Sequence, residues 1–104
     1  MSHLLIYQAE FCTIAGEEGL CVNCSPHFKD DVGSALAELS GTFGATWQQE
    51  PKGKVKWSLR SIKDYDVSAL AARFNGGGHK TAASFYLKAP QEDMNNLGIT
   101  LWAN

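Results

Sequence analysis

Proline is scarce, with three in 104 residues, and no long apolar run is present. The longest runs, such as Leu4-Leu5-Ile6-Tyr7, fall far short of the ~18 residues that cross a bilayer. No basic stretch followed by an apolar one opens the chain, so no secretory leader is expected and a soluble cytoplasmic protein is. Charge of one sign is also lacking. The formal net charge is −2 and 44% of residues are hydrophobic, which excludes the low-hydrophobicity, high-charge composition of disordered chains. A chain of this length buries roughly 65% of the surface its unfolded form exposes, enough for one core and too little for a second domain. One domain over residues 1–104 is expected.

Three cysteines, Cys12, Cys21 and Cys24, are too few and odd in number for a disulfide framework. Cys21 and Cys24 form a C-x-x-C with His27 three residues on. The segment Leu20 to Ser25 nevertheless reads as a strand, where side chains three apart point to opposite faces. No second C-x-x-C or H-x-x-x-H completes a tetrahedral set. The cysteines are expected to be reduced, metal-free and half-buried.

Patterning supplies the elements. His3 to Thr13 and Gly19 to Ser25 read as two strands of a hairpin broken over residues 15–19. Val32, Ala35, Leu36 and Leu39 recur at i, i+3, i+4, i+7, one stripe of a helix that Asp30 and Asp31 open and Gly41 closes. Thr42 to Gln49 is a strand and Glu50-Pro51-Lys52-Gly53 a turn. Lys54, Lys56, Ser58 and Arg60 then alternate with Val55, Trp57 and Leu59, so cations and core residues occupy opposite faces. Asp66 stands as N-cap before Val67, Leu70, Ala71 and Phe74 at helical spacing, and Asn75-Gly76 stops that helix. Gly77-Gly78-His79 reads as a loop, Ala82 to Lys88 as a strand, and Pro90 to Asn96 as a short polar helix or turn. The expectation is an α/β domain, element order β-β-α-β-β-α-β, with a mixed sheet of roughly five strands and two main helices.

Between Lys52 and Lys63 the sequence holds five cationic residues and no acidic one. Such a strip attracts a phosphate chain locally even on a near-neutral protein. Three consecutive glycines before His79 add a stretch of backbone whose N–H groups can approach an anion closely. The imidazole can donate to a phosphate oxygen or stack on a base. Arg60 brings a bidentate fork suited to phosphate, and Ser58 a short hydroxyl donor.

The segments Trp57-Ser-Leu-Arg-Ser61, Asp66-Val-Ser-Ala-Leu-Ala71 and Phe74-Asn-Gly-Gly-Gly-His-Lys-Thr-Ala-Ala-Ser-Phe85 together resemble the DHH-associated C-terminal domain of the DHH phosphoesterases. That family includes RecJ-type exonucleases, nano-RNases and cyclic dinucleotide phosphodiesterases. Val22-Asn23-Cys24 and Asp31-Val32-Gly33 extend the likeness to roughly residues 5–90. Two departures stand out, Asn75 where a fourth glycine is usual and Ser84 where Ala-Ala-Gly is. The resemblance implies that Arg60 and Ser58 hold a phosphate or terminal nucleotide. It implies that Gly76, Gly77 and Gly78 cradle the substrate backbone, that His79 contacts phosphate or base, and that Asn23 lines the same cleft. It also implies a partner, a DHH catalytic domain in cis or in trans, in which Asp and His residues hold two manganese ions. This sequence contains no Asp-His-His triplet, so no catalytic or metal-binding residue is expected here and no cofactor is assigned to the chain.

The leading expectation is therefore a substrate-binding domain. It positions a short single-stranded nucleic acid or a nucleotide for hydrolysis elsewhere, with no membrane partner; pairing of two copies stays open. The alternative is a free-standing oligonucleotide- or nucleotide-binding module without catalytic activity. A third reading, from a different class, is a structural or dimerising domain whose glycine loop is only a turn.

Overall fold

A computed structural model describes residues 8–62, 64–87 and 99–101, the last three by their backbone alone. Glu10–Ile14 (β1) turns through Ala15-Gly16 into Glu17–Asn23 (β2). Both turn residues have positive φ, 52° and 86°, the requirement of a tight primed hairpin. Pairing therefore begins at once, Ile14 opposite Glu17, and the break expected over residues 15–19 shrinks to two residues. The Ser25 hydroxyl accepts from the His27 amide and caps a single 3-10 turn, Pro26–Phe28. This turn leads into Lys29–Ser40 (α1), which Gly41 ends in the left-handed conformation, φ 79°. Phe43–Glu50 (β3) and Lys54–Ser61 (β4) pair antiparallel across the Pro51–Gly53 turn.

Val67–Ala72 (α2) begins where the Asp66 carboxylate accepts the amides of Ser68 and Ala69, 2.9 and 3.4 Å away. Asn75, at φ 64°, reverses the chain into Gly77–His79 (β5), followed by Ala82–Leu87 (β6) and Ile99–Leu101 (β7). Among the described residues these strands form one mixed sheet, in the order β5-β6-β4-β3-β2-β1-β7. β2 and β3 are parallel, joined through α1, and the other neighbours are antiparallel.

The chain is thus an α/β domain with a mixed sheet and two helices. Two short strands enlarge the expected sheet. The segment read as a loop at Gly77-Gly78-His79 is an edge strand on β6, and β7 pairs with β1. Glycines carry no apolar alternation, so periodicity has nothing to read there. Residues 3–7 of the expected first strand, Lys88 of the expected last one, and the helix or turn expected over Pro90 to Asn96 lie outside the described residues.

The sheet has two differently covered faces. Val55, Trp57, Leu59, Ala83, Phe85 and Leu87 point to one, where Val67, Leu70, Ala71 and Phe74 from α2 and its C-terminal turn pack on them. Phe74 and Phe85 stack with ring centroids 4.6 Å apart. The opposite face receives α1, whose Val32 and Leu36 cluster with Val22 and Cys24. A β-carbon added to Gly44 would stand 2.1 Å from the Gly33 carbonyl oxygen, so α1 rests directly on the backbone of β3. The helix packs on β2, β3 and β4, and among the described residues no helix covers the β6–β5 end of that face.

The Asp66 carboxyl is held below its ordinary range by the Ser68 hydroxyl first, then by the Ser68 and Ala69 amides and the charge of Lys80. A depressed folded pKa gives stability that is complete above the unfolded value, ~3.9, and is lost as pH falls through the folded one. Asn caps as well as Asp without titrating. The Asp66→Asn protein should therefore match the parent's melting temperature at pH 7 and lose less of it below about pH 4. Thermal melts across that range check this, and identical acid profiles would contradict it.

Candidate functional site

Cross-strand register places the expected residues before any side chain is considered. Directly paired residues of neighbouring strands point to the same face. Ala82 pairs with both Arg60 on β4 and His79 on β5, so Arg60 and His79 share a face, two strands or roughly 10 Å apart. The next row is Gly77, Ser84, Ser58, and it lies on that face as well. Both rows sit where α1 stops, and there the surface opens into a cleft of about 180 Å³. Ser58, Arg60, Gly77 and Gly78 line it, together with Lys29 from the start of α1 and Lys56.

Arg60 reaches this cleft along a defined path. Its aliphatic stem lies over α1 at Gly33, where an added β-carbon would stand 2.9 Å from Arg60 Cγ. One guanidinium nitrogen donates to the Leu59 carbonyl at 2.9 Å, and another forms an ion pair with Asp30. The Arg60 side chain is 18% exposed and that of Asp30 73%. An ion pair so open to solvent contributes only about 0.2–1 kcal/mol. The pair therefore holds the guanidinium only weakly against exchange for another anion.

Ser58 departs from the simple picture of a polar outer face. It is 2% exposed and its hydroxyl has no hydrogen-bond partner among the described residues, although it lines the cleft. An unmade hydrogen bond at a buried hydroxyl costs about 1–3 kcal/mol.

The three glycines have different reasons for lacking a side chain. At Gly76 a β-carbon would meet the Ser84 carbonyl oxygen at 2.1 Å, so this glycine lets the chain pass against β6. Gly78 has φ 148°, and a β-carbon there would stand 2.5 Å from the Ala82 carbonyl oxygen. Gly77 meets nothing within 4 Å. It lines the cleft, and its bare α-carbon is explained by no contact within the described chain. Gly76 lies behind the cleft rather than in its lining, and His79 stands exposed beyond Gly78. The turn after His79 is tied down, with the Ser61 amide donating to the Thr81 carbonyl and the Val67 amide to the Lys80 carbonyl, 3.2 and 2.8 Å.

Asn23 does not join this group. It pairs with Trp47 on the other face, and its side-chain amide donates to the Trp47 carbonyl at 2.7 Å, fastening the end of β2 to β3. The cysteines divide between the faces, Cys12 and Cys21 in the larger cluster and Cys24 in the smaller. All three are free and buried, and burial raises the Cys24 thiol pKa. Among the described residues no three His, Cys, Asp or Glu side chains gather to hold a metal ion. No described helix is long and apolar enough to cross a membrane.

A second concavity, about 340 Å³, lies between α2 and the β1–β2 turn. It presents Glu17, Asp64 and Asp66 against Arg73, an excess of carboxylate that repels phosphate. Lys29 and the Asp30 partner of Arg60 are not among the sequence candidates for the site, whereas Lys56 belongs to the cationic strip and Ser84 is a departure from the family pattern. The signal for one positioning residue was available: a glycine inside a helix costs about 1 kcal/mol against alanine, so Gly33 marks a close approach.

Residues 27–98, well over half of the chain, match the family described as the DHHA1 domain. The chain belongs to the DHHA1 domain family. This is the associated, non-catalytic domain of the DHH phosphoesterases. An uncharacterized protein of Acanthamoeba polyphaga mimivirus is 43% identical over 63 residues, 57% of this chain and 15% of the viral protein. A crystal structure of an uncharacterized protein from Helicobacter pylori superposes with a TM-score of 0.55 at 22% identity, over 92% of this chain and 28% of that one. That second likeness concerns the fold. In both cases the DHHA1 chain spans a small part of a longer protein.

Gly76 and Gly77 differ in what an added β-carbon would meet. Gly76→Ala should lower stability by about 1–3 kcal/mol through the clash with β6. Gly77→Ala should melt at or slightly above the parent temperature, since it fills open space and restrains the unfolded chain. Thermal melts of the two proteins check this, and a Gly77→Ala protein as unstable as Gly76→Ala would contradict it.

Proposed function

We propose that this DHHA1 domain binds a phosphate of a short single-stranded oligonucleotide or nucleotide and presents it to a separate DHH catalytic domain, in cis or in trans, for phosphodiester hydrolysis. The observation that carries this reading is the convergence of Arg60, the unpartnered Ser58 hydroxyl and the open α-carbon of Gly77 on one cleft. The guanidinium fork is matched to two phosphate oxygens. Ser58 supplies a donor from the floor, and Lys29 and Lys56 add positive potential at the wall. As the edge strand among the described residues, β5 leaves main-chain N–H groups on its outer side unused by the ladder, beside the cleft. His79 adds a donor on the same face.

The work of this chain is to bind and orient. Holding a phosphate at fixed register converts an encounter with the catalytic domain into a positioned reaction, which is where effective molarity arises. The manganese chemistry implied by the family has no donor set among these residues, and no step of it is assigned to them.

Binding of AMP, a dinucleotide, a cyclic dinucleotide and a short single strand at two salt concentrations tests the proposal. Arg60→Ala should weaken binding by about 1.5–3 kcal/mol and reduce the salt slope by about 1. Arg60→Lys should restore part of the affinity, because an ammonium keeps the charge and loses the fork. Asp30→Asn should bind severalfold more tightly, having no carboxylate for phosphate to displace. A folded Arg60→Ala protein that binds every ligand as the parent does would overturn the reading.

A further inference from the structure

Beyond the phosphate cleft, the same sheet face carries an exposed aromatic side chain that the phosphate reading does not use. Tyr86 is 49% exposed and pairs with Lys56 across β4. It lies two residues along β6 from Ser84, a row spacing of roughly 6.6 Å, and on the same face as Ser84 and Ser58. The Lys54 and Lys56 ammonium groups each lie over its ring, 5.8 Å from the centre, so an arriving base takes the place of these mobile lysine ends. The other described aromatic side chains of β4 and β6, Trp57 and Phe85, are buried on the opposite face in the core. Tyr86 therefore stands apart from that core, next to the cleft and flanked by cations.

We infer that Tyr86 is a stacking platform for the base of the nucleotide adjoining the phosphate held at Arg60, with Lys54 and Lys56 facing the flanking phosphate. The inference rests on the phosphate reading of the cleft and extends it from a point of attachment to a track of two nucleotides. The occupant is fixed by chemistry. A ring that holds cations over its π-face can exchange them for a base, and the displaced ammonium groups then favour a phosphodiester chain over an acidic or neutral surface lacking a planar group. Such a platform is tolerant of sequence, so the track should select for length and single-strandedness before base identity. The polar row Gly77, Ser84, Ser58 separates platform from fork, leaving a floor without bulky side chains along which a sugar-phosphate chain can lie.

The test compares AMP, the diadenylate pApA and its analogue lacking the second base, using the whole chain. Tyr86→Thr removes the ring while keeping a strand-forming residue, and Tyr86→Phe keeps the ring. Tyr86→Thr should weaken pApA binding about five- to a hundredfold, the loss of one stacked base, and leave AMP and the abasic analogue within twofold of the parent. Tyr86→Phe should bind all three as the parent does. Loss of AMP affinity in Arg60→Ala with unchanged pApA affinity in Tyr86→Thr would overturn the platform and spare the cleft. Equal losses for pApA and the abasic analogue would also overturn it, pointing to the lysines alone. Failure of the parent to bind any of the three would overturn cleft and platform together.

Discussion

The structure depends on how closely α1 can approach the sheet. Gly33 and Gly44 bring helix backbone against strand backbone, where a single β-carbon would collide at 2.1 Å. That contact fixes the helix over β2 and β3, with its N-terminal turn beside β4. Among the described residues, no helix covers the rest of the face, from the far side of β4 to β6 and β5. A sheet with one face packed and the other partly open normally carries plain polar residues on the open part. Here it carries a guanidinium, a buried hydroxyl without a partner, bare glycine and an aromatic ring flanked by lysines.

Arg60 shows how packing and chemistry share one arrangement. Its stem occupies the space that Gly33 leaves, so the glycine that lets α1 descend also determines where the guanidinium emerges. The partner it finds there, Asp30, belongs to the opening turn of the same helix. Displacing so exposed a carboxylate costs little. Under the proposed function, the ordering of the fork is then met in folding rather than in binding.

Much of the fold was legible in the residues. Val55, Trp57 and Leu59 alternate as a strand must and are fully buried, Asp66 caps α2, and Gly41 closes α1. These are local signals, each read within a few positions. What escaped the sequence depends on separation in space. The burial of Ser58 needs elements from outside its own strand, and the Asp30 partner of Arg60 lies thirty residues away. The three consecutive glycines are alike as letters and differ only once β6 lies beside them. Asn23 was expected in the cleft because its segment resembles the family. Register turns it to the other face, where it fastens two strands.

The central claim is that phosphate enters on the face shared by Arg60, Ser58 and Gly77. Backbone amide chemical shifts, followed while pApA is titrated into the protein, test it most directly. The account predicts concentration-dependent shifts at Ser58, Arg60, Gly77, Gly78 and Ser84, with Ala69 and Arg73 on the α2 side unmoved. Shifts centred on Ala69 and Arg73, with Gly77 and Arg60 silent, would contradict it.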